Sequence, residues 1–184
     1  DEQMRTSLPD VWAAGDCIAA HHRVLDAPAF VPLGPAANKT GRVAGTVAAG
    51  GDARFAGIVG TAVVKVFEQE VARTGLTLAD AEAAGLDARA TDVVSRSRAK
   101  YYPGAEAVHV RLVHESHGRL LGAQLVAREG AAKRVDVVAA ALYGGMNVTD
   151  LQSFDLSYAP PYSPVYDPLT IAAQAAAQNL AVNA

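Results

Sequence analysis

The side chains able to do chemistry in this chain are mostly tyrosines, and most of those sit in two proline-containing segments. The first is Tyr101-Tyr102-Pro103-Gly104. The second is Ser157-Tyr158-Ala159-Pro160-Pro161-Tyr162-Ser163-Pro164-Val165-Tyr166-Asp167-Pro168. A phenol ionises near pKa 10 and can donate a hydrogen bond or a proton to a departing anion. Tyr162, Val165 and Tyr166 on an exposed loop would also form an apolar patch, the kind of surface that marks an interface. A two-fold homodimer would bury that patch against its own copy. His21-His22 is a weak metal candidate, because adjacent side chains rarely point at one ion and no further ligands follow at useful spacing. No metal is expected. His109, His114 and His117 lie in or beside a predicted hairpin and read as structural. The one cysteine, Cys17, cannot form an intrachain disulfide, which fits a reducing cytoplasm.

The elements that must position these residues can be read from pattern. Residues 9–14 read as a short buried strand around Val11 and Trp12, closed by Gly15-Asp16. Residues 26–35 read as a loop, since Pro28, Pro32 and Pro35 oppose regular structure. A helix follows Pro35 and ends at Gly50-Gly51. Gly41 and Gly45 lie four apart on it, at about 1 kcal/mol each relative to alanine, so close approach of another backbone is expected there. Strands are predicted at 61–67, 68–74 and 91–98. Thr77 and Asp80 have capping-box spacing before a helix that stops at Gly85. Residues 107–113 and 120–127 alternate as a hairpin around Ser116-His117-Gly118, with Gly122 at a bulge. Helices are predicted at 131–143, from Thr149, and at 168–180, the last capped by Asp167 with Pro168 in first position. Strands, then a helix, then antiparallel strands, then helices make an α+β fold, not a parallel βαβ sheet. The expected division is 1–52, a strand-loop-helix piece, and 53–184, an antiparallel sheet with flanking helices.

Composition narrows the function. Of 184 residues, 51% are hydrophobic and 19% charged, enough apolar material for a sizeable core. With a formal net charge of −3 and no basic run, a nucleic-acid partner is not expected. No apolar run reaches the length of a membrane span. There is no Gly-x-Gly-x-x-Gly fingerprint at a strand–helix junction. The first residue is Asp1, so the chain is expected to begin within a longer protein or after processing.

The segment Thr6-Ser7-Leu8-Pro9-Asp10-Val11-Trp12-Ala13-Ala14-Gly15-Asp16 resembles the last strand of the FAD domain in flavoproteins with two dinucleotide-binding domains. Residues 32–42 (Pro-Leu-Gly-Pro-Ala-Ala-Asn-Lys-Thr-Gly-Arg) resemble the next helix of that family, and 55–61 its entry into the dimerisation domain. The two tyrosine segments are similar to those of the coenzyme A-disulfide reductase and NADH oxidase branch of the pyridine nucleotide-disulfide oxidoreductases. The resemblance covers nearly the whole chain.

That resemblance implies FAD and NAD(P)H in the parent protein. Gly15 and Asp16 would lie beside the flavin, Gly15 allowing close backbone approach and Asp16 accepting from a ribityl hydroxyl. Ala37 would contact the cofactor from a helix whose N-terminus favours negative charge. Tyr102 and Tyr158 would reach the partner subunit's flavin and redox cysteine, with Tyr101 and Tyr162 as register alternatives. Asn38 and Tyr166 would contact coenzyme A, although the family often carries a basic group at Tyr166's place. Lys39 and Arg42 are the cations that could compensate. The family's redox cysteine lies far upstream, so Cys17 is expected to be a small buried residue. Taken alone, the segment is expected to dimerise, to bind flavin weakly and to do no chemistry.

Overall fold

The computed structural model describes residues 1–182. They form two compact units, 1–60 and the remainder from Thr61. The first unit carries an antiparallel ribbon of β1 (Ala20–His22) and β2 (Ala27–Ala29) and one helix, α1 (Gly34–Ala48). Its core gathers Met4, Ala20, Val43, Val47, Phe55 and Ile58. Residues 53–60, grouped by sequence with the second part, therefore pack with the first through Phe55 and Ile58.

Three expectations about this unit are corrected. Residues 9–14 are not a buried strand. Asp10 takes φ +58 and turns the chain back, so Thr6 N–H donates to Val11 O (3.0 Å) and Ala13 N–H to Met4 O (3.0 Å). Only a single bridge, Arg5 to Trp12, remains, and Val11 is exposed. The stretch 26–35 is not all loop, because β2 lies in it with Pro28 opposite His21. A two-stranded ribbon has a free edge on each strand, where a missing N–H costs no ladder bond. Gly41 and Gly45 meet no neighbour, since a Cβ at either would find open space.

The second unit follows its predicted plan. Strands β3 (Ala62–Val66), β4 (Gln69–Gly75), β5 (Ala88–Arg96), β6 (Ala107–Glu115) and β7 (Leu120–Ala127) form one antiparallel sheet, ordered β3-β4-β7-β6-β5. The inward positions of β6 (Val108, Val110 and Leu112) are buried, and so are Ala123 and Leu125 of β7. Helices α3 (Ala131–Tyr143) and α5 (Pro168–Val182) cover that face, α3 over β4 and β7, α5 over β5 and β6. Two short helices complete the unit. In α2 (Leu78–Ala83) the Thr77–Asp80 capping box forms in both directions, and α4 (Val148–Gln152) packs on α5. The β6–β7 register slips between Val113 and His114, which is the bulge expected beside Gly122. A side chain at Gly122 would overlap the Leu76 backbone.

Candidate functional site

The two tyrosine segments lie together in the second unit. Residues 97–106 connect β5 to β6, and 153–167 connect α4 to α5. They are joined directly, Ala99 N–H donating to Pro160 O (3.2 Å). Hydrogen bonding with the Tyr101 side chain, then desolvation and charge, raises the Tyr158 phenol above its ordinary value. Tyr102 is held differently. Its N–H donates to Ala99 O (2.9 Å), and the Arg98 guanidinium lies over its ring at 5.9 Å to the centroid, within cation–π range. The structure thus pairs Tyr158 with Tyr101 and sets Tyr102 against Arg98. All three phenols are exposed.

The loops are fastened from below by charged groups that sequence reading passed over. Arg98 pairs with Glu129, which also accepts from Ser97 Oγ (2.8 Å). Burial raises the Glu129 carboxyl, but hydrogen bonds from Ser97 and Arg98 and the charges of Arg98 and Arg134 outweigh it, and the net shift is downward. Arg134 of α3 pairs with Asp167 at 2.8 Å. Asp167 does cap α5, accepting from Leu169 N–H at 2.9 Å. Only this cap was visible beforehand. Arg134 carries no sequence signal of this role, because nothing in a single helix pattern shows a cation turned under a distant loop.

Tyr166 is exposed and lines a cleft of about 210 Å³ with Asp155, Ser157, Thr170 and Gln174 among others. The lining includes Asp155 and Asp167 and no lysine or arginine.

The remaining candidates lie in the first unit. Gly15 takes φ +90, and its N–H donates to Thr40 Oγ1 (3.1 Å). Thr40 in turn donates to Ala36 O (2.8 Å). This chain of bonds seats the Gly15-Asp16 turn against the first turns of α1. Asp16 and Asn38 are exposed and Ala37 is half-buried. Helix α1 starts at Leu33 without a side-chain cap and with proline in its first turn, leaving its positive end open. An exposed carboxylate beside an uncapped helix start fits one rim of a site for a polyhydroxylated, phosphate-bearing cofactor. Cys17 corrects the expectation of burial: it is exposed, with Sγ 3.3 Å from Ala14 O. The turn after Gly15 faces it outward. Among the described residues no group of three or more His, Cys, Asp or Glu is placed to hold a metal ion. His114 is buried, its ring bonded to Thr91 Oγ1 (3.1 Å) and Glu115 O (2.9 Å). No described helix is long and apolar enough to cross a membrane.

A helix-backed antiparallel sheet with fastened tyrosine loops defines an α+β domain. The model of the pyridine nucleotide-disulphide oxidoreductase dimerisation domain matches residues 61–168, and the chain belongs to that family. It is 40% identical over 163 residues to an NAD(P)H coenzyme A polysulfide/persulfide reductase of Pyrococcus horikoshii, covering 88% of this chain and 36% of that protein. It is 34% identical over 164 residues to a coenzyme A disulfide reductase of Staphylococcus aureus, covering 88% of this chain and 37% of that protein. An NAD-dependent persulfide reductase from A. fulgidus superposes with a TM-score of 0.93 at 40% identity, over all of this chain and 34% of its own. The chain thus spans little more than a third of the relatives it matches.

Proposed function

We propose that this chain is the dimer-forming part of a flavoprotein that passes electrons from NAD(P)H to a disulfide, persulfide or polysulfide, with coenzyme A as the thiol carrier. The joined tyrosine loops carry the reading: Ala99 N–H donates to Pro160 O across them, and Tyr101 and Tyr158 stand exposed on them, as a proton donor to a partner subunit's site should be. Residues 1–52 are, on this reading, the last piece of a FAD domain, and Gly15, Asp16 and Ala37 would meet the cofactor. When bound, FAD supplies the relay between the two-electron donor and the sulfur acceptor. This chain's own part is to bring a phenol to the leaving sulfur. Reduction of coenzyme A disulfide consumes one NAD(P)H and one proton and yields two thiols, and Tyr158 hands its proton to the second thiolate as the S–S bond breaks. Tyr102, gripped by Arg98, supports the loop beside the pair. The setting is a reducing cytoplasm, consistent with one exposed thiol and no pairing cysteine.

The cleft at Tyr166 favours a second reading of the acceptor. A coenzyme A phosphate needs cations, and this cleft is lined by Asp155 and by an Asp167 already paired with Arg134, with no lysine or arginine of its own. If coenzyme A binds, Asn38 with Lys39 or Arg42 is the better seat for it. The test uses the full-length parent, assayed anaerobically for NAD(P)H oxidation. Rapid turnover with coenzyme A disulfide supports the first reading, and Tyr158→Phe should then slow it on the order of a hundredfold. Turnover only with a persulfide or polysulfide removes the carrier. Consumption of NADH only once oxygen is admitted identifies an oxidase and removes the proton-donor role.

A further inference from the structure

We propose that Arg134 is the positioning residue for the tyrosine pair: one guanidinium clasps both loops and so fixes the spacing of Tyr101 and Tyr158. This rests on the reading above for its functional meaning, but its geometry stands by itself. Arg134 lies on the first turns of α3, well away in sequence from either loop. Its Nη2 donates to Ser97 O (3.0 Å) at the start of the first loop. The same nitrogen reaches Tyr162 O (3.4 Å) in the second. Its Nε donates to Asp167 Oδ2 (2.8 Å), where the second loop enters α5. Nη1 donates to Gly130 O (3.1 Å), locking the fork to its own helix start.

The surroundings are built for this one residue. The Arg134 and Asp167 side chains are only 11% and 10% exposed, so the pair is largely out of water, where it must be fully bonded to be tolerated. It is. The second oxygen of Asp167 accepts from Leu169 N–H (2.9 Å), and Ser163 Oγ donates to the first (3.0 Å). Gly130 takes φ +84, and any Cβ there would overlap the Arg134 guanidinium. Ser97, whose carbonyl is held by Arg134, also binds Glu106 N–H (3.1 Å) through Oγ, which closes the first loop. A planar fork can serve a carboxylate and two carbonyls at once; a lysine, a single point of charge, cannot. The Arg134 hydrogen bonds go to the loops and its own helix start, so it acts through the loops and is not itself a catalytic residue.

The experiment follows the phenols directly. In the 184-residue chain carrying tyrosine labelled at Cζ, NMR titration should show Tyr158 ionising above the ordinary phenol value. Arg134→Lys keeps the charge opposite Asp167 but loses the two carbonyls. It should fold, unfold cooperatively, and return Tyr158 to the titration of a free phenol. Should that variant fail to fold, Arg134→Met with Asp167→Asn removes both charges and keeps a capping side chain, and the same return is expected. A folded variant with the raised Tyr158 titration intact overturns the proposal. In the full-length parent, Arg134→Lys should lower kcat for the sulfur acceptor about tenfold with the KM for NAD(P)H unchanged. A Tyr158 returned to free-phenol titration with unchanged acceptor turnover would uphold the clasp and refute the proton-donor role of the pair.

Discussion

At the scale of single residues, the decisive fact is which tyrosine Tyr158 touches. Hydrogen bonding with Tyr158 as the donor to Tyr101 stabilises the neutral phenol, so Tyr158 ionises above its ordinary value. A group whose folded value is raised contributes stability that is complete below the free phenol's value and is lost as pH rises through the folded one. Tyr158 therefore stays protonated throughout the neutral range. We expect Tyr101→Phe to return the Tyr158 titration to that of a free phenol, and Tyr102→Phe to leave it unmoved. Absorbance or NMR titration of the two variants distinguishes them, and a shift in the second would assign the pairing to Tyr102. Asp92 makes the opposite case. Arg111, directly across the β5–β6 ladder, donates to it at 2.7 and 2.8 Å and, against a small effect of burial, lowers its carboxyl. A lowered value means stability present above the ordinary aspartate range and lost as pH falls through the folded value. Both side chains are half exposed, so solvent screens the pair. Asp92→Asn should lower the urea midpoint only slightly at neutral pH and not at all in strong acid.

At the scale of elements, glycines separate what a linear pattern reveals from what it hides. Gly122 and Gly75 face each other in the β4–β7 ladder, and Leu76 N–H crosses to Leu121 O at 2.9 Å. There is no room for a side chain at Gly122. Gly122→Ala should destabilise by about 3 kcal/mol, the upper end of ordinary overpacking. Gly41 is also an interior glycine, yet a Cβ there meets nothing, and Gly41→Ala should stabilise this chain by about 1 kcal/mol through helix propensity. Chemical denaturation of both variants checks the pair, and a neutral or harmful Gly41→Ala would show that α1 is packed against something. In sequence Gly122 read as a bulge and Gly41 as a site of close backbone approach, and only the first of these is crowded. What was legible was periodic or local: the alternation of β6, the Thr77–Asp80 box, the start of α3, the Asp167 cap. Each depends on neighbours within a few residues. What was not legible depends on partners far along the chain or on a turn's handedness. β1 with β2 was masked by Pro28, the false strand at Val11 was undone by Asp10 at φ +58, and the outward Cys17 followed from the Gly15 turn. For the site itself, the tyrosine loops were visible as motifs. The arginine beneath them was not, because Ser97, Arg134 and Tyr162 meet only in the folded domain.

At the scale of the whole molecule, two exposed apolar surfaces of the second unit compete as the dimer interface. One is the tyrosine loop, where Tyr162, Val165 and Tyr166 stand well exposed. The other is the uncovered face of the sheet, where register places Val64, Val71, Val126, His109 and Val94 in one row across all five strands. An open depression of about 780 Å³ beside α2 widens that second face. The loop is the stronger candidate, because its backbone is already ordered by Arg134 and Asp167, so association would cost little further loss of freedom. Aromatic side chains on an ordered loop are also the usual anchors of an interface. The sheet row, by contrast, is interrupted by His109 and flanked by Arg73, Gln124, Arg111 and Asp92 in the next row, which keeps it wettable. We therefore expect a dimer at micromolar concentration. Tyr162→Lys with Val165→Lys should convert it to a folded monomer, and Val94→Lys should not. Light scattering on the three proteins decides: dissociation by Val94→Lys alone would move the interface to the sheet, and a monomeric parent chain would remove the dimer altogether.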